Sequence, residues 1–189
     1  MLNKRPPISD SEINHNNEIF IDLLRNTGRN NVGYLIKFLC EETDFFVAPA
    51  SAKYHLNIPG GLVYHSLSVY EMLCKLCDDI PIFIKDDTKI ITSLLHDVCK
   101  TNTYVWNELE GKYERKDRLP IGHGDKSIMV IQQSGFQLTK QEMGMIRWHM
   151  AHYDESFRRN QNDIYREFPE AMLLYFADHI STLFLEEFD

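Results

Sequence analysis

The stretch Ser93-Leu94-Leu95-His96-Asp97-Val98-Cys99-Lys100 sets an imidazole beside a carboxylate inside an apolar run. Burying either group without a partner costs on the order of several kcal/mol, so an apolar helix face ordinarily avoids the pair. A divalent cation satisfies both at once, and the pair therefore points to a metal site rather than to core packing. Working outward, single histidines stand on both sides at His65, His123 and His149. His152 follows the last of them, and Asp178 closes the series.

Helical periodicity places these groups. His65 follows the breaker Pro59-Gly60-Gly61, and Leu62, Val69, Met72, Leu73 and Leu76 recur at helical spacing around it, which predicts a helix opening just before the histidine. Ile90, Ile91, Leu94, Leu95 and Val98 form the stripe of a second helix, on which His96 and Lys100, four apart, share a face. Asp178 ends the almost wholly apolar stretch 171–177 and so demands a cationic partner. Helices are predicted over 10–26, 31–42, 61–78, 87–101, 124–134, 139–152 and 169–186, with a loose arm over 1–9. Between 102 and 118, aromatic and polar residues alternate around Gly111, predicting a β-hairpin whose Tyr104, Trp106 or Tyr113 either anchor it on the helices or cover the site after Lys100. The fold expected is all-α with one short hairpin insertion, in a single domain across 1–189.

Five ordered motifs carry a resemblance. They are Pro-Gly-Gly-Leu-Val-Tyr-His-Ser at 59–66, Leu-Leu-His-Asp-Val-Cys-Lys at 94–100, Ile-Gly-His-Gly-Asp-Lys-Ser at 121–127, Ile-Arg-Trp-His-Met at 146–150 and Phe-Ala-Asp-His at 176–179. From about Pro49 to Glu186 the chain resembles the HD-domain metal-dependent phosphohydrolases, and in particular small bacterial and phage-borne members of no settled substrate. The resemblance implies a helical bundle in which His65, His96, Asp97 and Asp178 bind one metal, and His123 and His149 serve a second. His152 departs from that subgroup, so the choice between His149 and His152 as ligand stays open, with His152 otherwise a substrate contact. The resemblance also implies that Lys100 meets the scissile phosphate.

A carboxylate such as Asp97 can bridge two cations about 3.5 to 4 Å apart, between which water loses a proton near neutral pH. Asp97 and Lys100 are accordingly the candidate catalytic residues. Lys126, one turn after His123, adds positive charge to the site or is a solvated surface lysine. The broken segment 47–58 leads into the His65 turn and offers Lys53 and His55 as substrate contacts. His15 and His179 read as structural. Donors rich in nitrogen and without thiolate suit one or two ions of Mn²⁺, Fe²⁺, Co²⁺ or Ni²⁺, and Zn²⁺ also fits. Cys74 and Cys77, a C-x-x-C within one helical pattern, read as core or helix-flank residues, Cys40 and Cys99 stand alone, and the four thiols fit a reducing, cytoplasmic setting.

At 189 residues and 43% hydrophobic, the chain can bury one substantial core, and no apolar run is long enough to span a membrane. A formal net charge of −8 disfavours an extended nucleic-acid surface, though not a nucleotide. The expected partner is a phosphorylated small molecule, in the first place a nucleotide, cleaved at a phosphoester or phosphoanhydride. The alternatives are a 3′-5′ exonuclease acting on short nucleic acid and a non-catalytic metal- or nucleotide-binding regulatory module.

Overall fold

The computed structural model describes residues 8–116 and 119–186. Residues 1–7 of the expected arm, and 117–118 of the hairpin segment, lie outside them. Ser9 belongs to a built element, because its hydroxyl accepts from Glu12 N while the Glu12 carboxylate accepts from Ser9 N, a reciprocal capping box opening α1 (Asp10–Asn26). The same device, Thr139 with Glu142, opens α6 (Lys140–Trp148). Between them come α2 (Val32–Glu41), α3 (Gly61–Asp79), α4 (Asp86–Leu95) and α5 (His123–Gln133). After them come α7 (Glu155–Glu167) and α8 (Glu170–Ile180).

The architecture is the helical one expected, with a single antiparallel hairpin among the described residues, β1 (Tyr104–Asn107) and β2 (Lys112–Arg115). Its register pairs Trp106 with Tyr113, whose rings meet edge to face at 5.1 Å, so these aromatics hold the hairpin together. Helix α3 is central and packs on α1, α4 and α8. Its apolar face joins Phe20, Leu39, Phe45, Ile91, Leu94 and Ile146 in one core. A second core, with Val69, Leu73, Met145, Leu173 and Leu174, seals α3 to α6 and α8.

Three of the expected helices end early, and one helix was not expected. The helix read over 87–101 stops at Leu95, and a 3₁₀ turn over Val98–Lys100 follows. The cause is tertiary: Ser127 Oγ donates to His96 O at 2.5 Å and accepts from Cys99 N at 3.2 Å, taking two backbone groups that a continuing helix would use. Lys100 therefore does not sit one helical turn beyond His96. Helix α6 stops at Trp148 rather than 152, and α8 passes into a π-helical turn over Ser181–Leu185. Helix α7 escaped the periodicity because Phe157 and Ile164 are its only buried residues, spaced two turns apart in a polar sequence. Asp154 caps it by accepting from Ser156 N and Phe157 N.

One ion pair ties the two halves of the bundle. Glu142 is fully buried, and Arg29 Nη1 reaches its carboxylate at 2.6 Å while Arg29 Nη2 donates to Gln137 O. Removing one partner of such a pair strands the other charge. Arg29→Met is expected to cost about 3 kcal/mol, which corresponds to roughly 10 °C in a chain of this size. A calorimetric scan checks this, and a Tm within about 2 °C of the parent would show that Glu142 finds other compensation.

Candidate metal centre and substrate pocket

The candidate ligands converge because four helix ends meet. His65 lies in the first two turns of α3, whose start is fixed by Gly60 at φ 74° and by Gly61, where a Cβ would fall 2.2 Å from Leu56 O. His96 caps the C-terminus of α4, His123 opens α5 and His149 caps the C-terminus of α6. Helices α5 and α6 touch backbone to backbone at Gly124, where a Cβ would meet Arg147 O at 2.4 Å. Arg147 clamps the junction by pairing with Asp125 at 2.5 Å and Asp154 at 2.6 Å. Asp178 arrives from α8.

Asp97 stands at the middle. Its Oδ2 lies 3.6 Å from His65 Nε2, 3.5 Å from His96 Nε2 and 2.6 Å from Lys100 Nζ. Its Oδ1 faces His149 Nε2 at 3.7 Å and His123 Nδ1 at 3.9 Å. Asp178 Oδ1 is 3.3 Å from His65 Nε2. The structure thus brings the six residues expected as ligands together: His65 and His96 face one oxygen of Asp97, His123 and His149 face the other, and Asp178 adjoins His65.

Tautomers are set from outside. His96 Nδ1 donates to Ser93 O at 2.8 Å, and His149 Nδ1 donates to Ile146 O at 2.7 Å, so each Nε2 carries its lone pair inward. His65 Nδ1 donates to the Glu186 carboxylate at 2.9 Å. His65 Nε2 then faces His96 Nε2 at 3.2 Å, and His149 Nε2 is buried without a hydrogen-bond partner. Inward lone pairs beside two carboxylates are a donor set that a divalent cation fits. Without one, a proton takes its place: burial opposes it, but Glu186 and Asp178 raise the His65 imidazole to about 10.

Burial pushes the imidazoles of His55 and His96 the other way, down to about 4 from the ordinary 6.5. These two take up protons on unfolding, so their contribution to stability is lost as pH falls from about 6.5 towards 4. His123, bonded to Asp97 and Cys99, is raised to about 10, like His65. The contribution of that pair is complete below about 6.5 and is lost as pH climbs to about 10. The metal-free protein should be most stable near neutrality, and added Mn²⁺ should raise Tm more at pH 8 than at pH 6, because the cation displaces the proton. Equal Tm with and without metal at both pH values would show that no such competition exists.

Lys53 and His55 line a cavity of about 700 Å³ onto which Asp97, Lys100, His123 and Asp178 open. Lys126 does not line it; its Nζ bonds Thr103 Oγ1 at 3.1 Å, behind His123. His152 stands outside both cluster and cavity, exposed against Phe157 with its Nε2 3.5 Å from Tyr165 Oη. It is therefore His149 that faces Asp97. His179, read as structural, lines the cavity, stacked on Tyr153 (5.5 Å between centroids) and tilted against Tyr175 (4.4 Å). Glu186 escaped the sequence reading although it follows the apolar run 183–185, the same signal that singled out Asp178.

Residues 62–183 match the HD domain family. The chain is also 25% identical over 135 residues to the dihydroneopterin 2',3'-cyclic phosphate phosphodiesterase of Methanocaldococcus jannaschii, an alignment covering 69% of this chain and 50% of that protein. The chain thus spans about half the length of that curated relative. No solved structure matches this chain. With the family match covering well over half of its length and containing the His96-Asp97 pair at the convergence of the helix ends, the chain belongs to the HD domain family.

Proposed function

We propose that this protein is a metal-dependent phosphohydrolase that cleaves a phosphoester or phosphoanhydride of a nucleotide or a related phosphorylated heterocycle. The observation that carries the reading is Asp97, whose two oxygens face two sets of imidazole nitrogens at the floor of an open cavity. The chemistry supplied by divalent cations bound there is Lewis-acid polarisation of water and of phosphoryl oxygen. We assign His65, His96, Asp97 and Asp178 to one such ion and His123 and His149, with Asp97, to a second. Mn²⁺, Fe²⁺, Co²⁺ or Ni²⁺ suits the first set.

The remaining residues bind and orient. Asp97 holds Lys100 charged despite burial, so an ammonium stands where the transferring phosphoryl group gathers negative charge. Lys53 and His55 flank the same floor from the 47–58 segment. Tyr54, Tyr153 and His179 supply ring faces along the wall, and a planar heterocycle placed there would lie against them while its phosphate reaches Lys100. The name of the Methanocaldococcus jannaschii relative, a phosphodiesterase of a pterin cyclic phosphate, supports a fused-ring phosphoester. Among the described residues no helix is long and apolar enough to cross a membrane.

The test is a Mn²⁺-supplemented panel of nucleotides, cyclic nucleotides, pterin phosphates and short oligonucleotides, read for released phosphate, pyrophosphate or a new monoester. Chelator-sensitive cleavage of a mononucleotide or pterin phosphate is the expected result. Cleavage confined to oligonucleotides would favour the exonuclease reading. Tight binding of nucleotide with no turnover by fully metallated protein would favour the regulatory module.

A further inference from the structure

Cys99 is only 3% exposed, and its Sγ lies 3.6 Å from His123 Nδ1 and 3.9 Å from Asp97 Oδ1. His123 Nδ1 is in turn 3.9 Å from that same oxygen. For an ion bound tetrahedrally at about 2.0–2.3 Å, neighbouring donors stand about 3.3–3.8 Å apart, so this triangle has close to the dimensions of one face of the tetrahedron. His149 Nε2, buried and without a hydrogen-bond partner, lies 3.7 Å from the same Asp97 Oδ1 but groups with His96 rather than with Cys99 and His123. The Ser127 hydroxyl that ends the α4 run also accepts from Cys99 N, and this holds the thiol on the site side of the turn.

We infer that Cys99 is a thiolate ligand of the second half-site, forming with Asp97 and His123 a mixed sulfur, nitrogen and oxygen set. The inference rests on the reading that cations occupy this centre, and it adds a donor outside the histidine and carboxylate pattern. On binding, the S–H bond breaks, a sulfur–metal bond forms and the proton leaves to solvent, with no change of oxidation state. A thiolate there draws the half-site towards Zn²⁺, Fe²⁺ or Co²⁺ and away from Mn²⁺, while the His65 half-site keeps harder donors. The two half-sites would then prefer different metals.

Cobalt reads this directly. Metal-free, reduced protein titrated with Co²⁺ should develop an intense sulfur-to-cobalt charge-transfer band in the near ultraviolet. The band should persist in Cys40→Ser and Cys74→Ser and be lost in Cys99→Ser. A parent protein that binds Co²⁺ with no such band overturns the inference outright, whether or not the variant folds. A band that survives in Cys99→Ser overturns it as well. Since no turnover is needed, a protein that shows the band and hydrolyses nothing sustains this ligand while sinking the phosphohydrolase reading. Chelator-sensitive hydrolysis without a band would do the reverse.

Discussion

Asp97→Asn is expected to abolish hydrolysis, with kcat/KM down by at least about 10³-fold, and to leave fewer cations on the chain than the parent carries. The substitution keeps the shape of the side chain but removes the charge on which both groups of imidazoles converge. A single neutral amide oxygen cannot serve two cations, and losing one positioned electrostatic group alone is worth about 10²–10³. The amide choice also matters for folding, because alanine would open a gap beside the ammonium of Lys100. Elemental analysis of protein reconstituted with Mn²⁺, alongside steady-state kinetics, decides the matter. Retention of the full metal content and of activity within tenfold of the parent would remove Asp97 from the residues that would hold the cations.

Lys100→Ala is expected to lower kcat by roughly 10²- to 10³-fold, with a much smaller change in KM and an unchanged metal content. Lys100 Nζ lies 2.6 Å from Asp97 Oδ2 and lines the same cavity, so it can meet phosphate without being a ligand itself. An interaction that strengthens as charge develops appears in kcat rather than in KM. The variant must be compared at equal metal occupancy. Equal kcat for variant and parent on one substrate would exclude Lys100 from the chemistry.

Much of this centre was legible because polar residues stood in apolar surroundings. His96 beside Asp97, and Asp178 after an apolar run, could be singled out from the cost of burying them unpartnered, and the structure gathers them with His65, His123 and His149. What the sequence concealed was set by contacts distant along the chain. Lys100 was expected on the same helical face as His96, yet Ser127, 31 residues from His96, ends that helix and delivers Lys100 through a 3₁₀ turn instead. Periodicity carries no trace of such a bond. Cys99 stands alone in the sequence because its neighbour His123 is 24 residues away, and His179 reads as structural because Tyr153, on which it stacks, comes from another turn. Glu186 was the exception, since its signal was local and went unread.

The hairpin has a different kind of significance. Its two ends are fastened to one another and to the bundle: Lys116 N donates to Thr103 O at 2.8 Å, and Asn102 N donates to Asp44 Oδ1 at 2.6 Å. Everything beyond that fastening leaves and returns at nearly one point, and Leu109 at its tip is 98% exposed. Such a segment behaves as an appendage with its own stalk. Foreign sequence spliced in at Leu109, or new chain termini opened there, would load the stalk and not the bundle, which makes the tip a natural attachment point for a reporter or a tether.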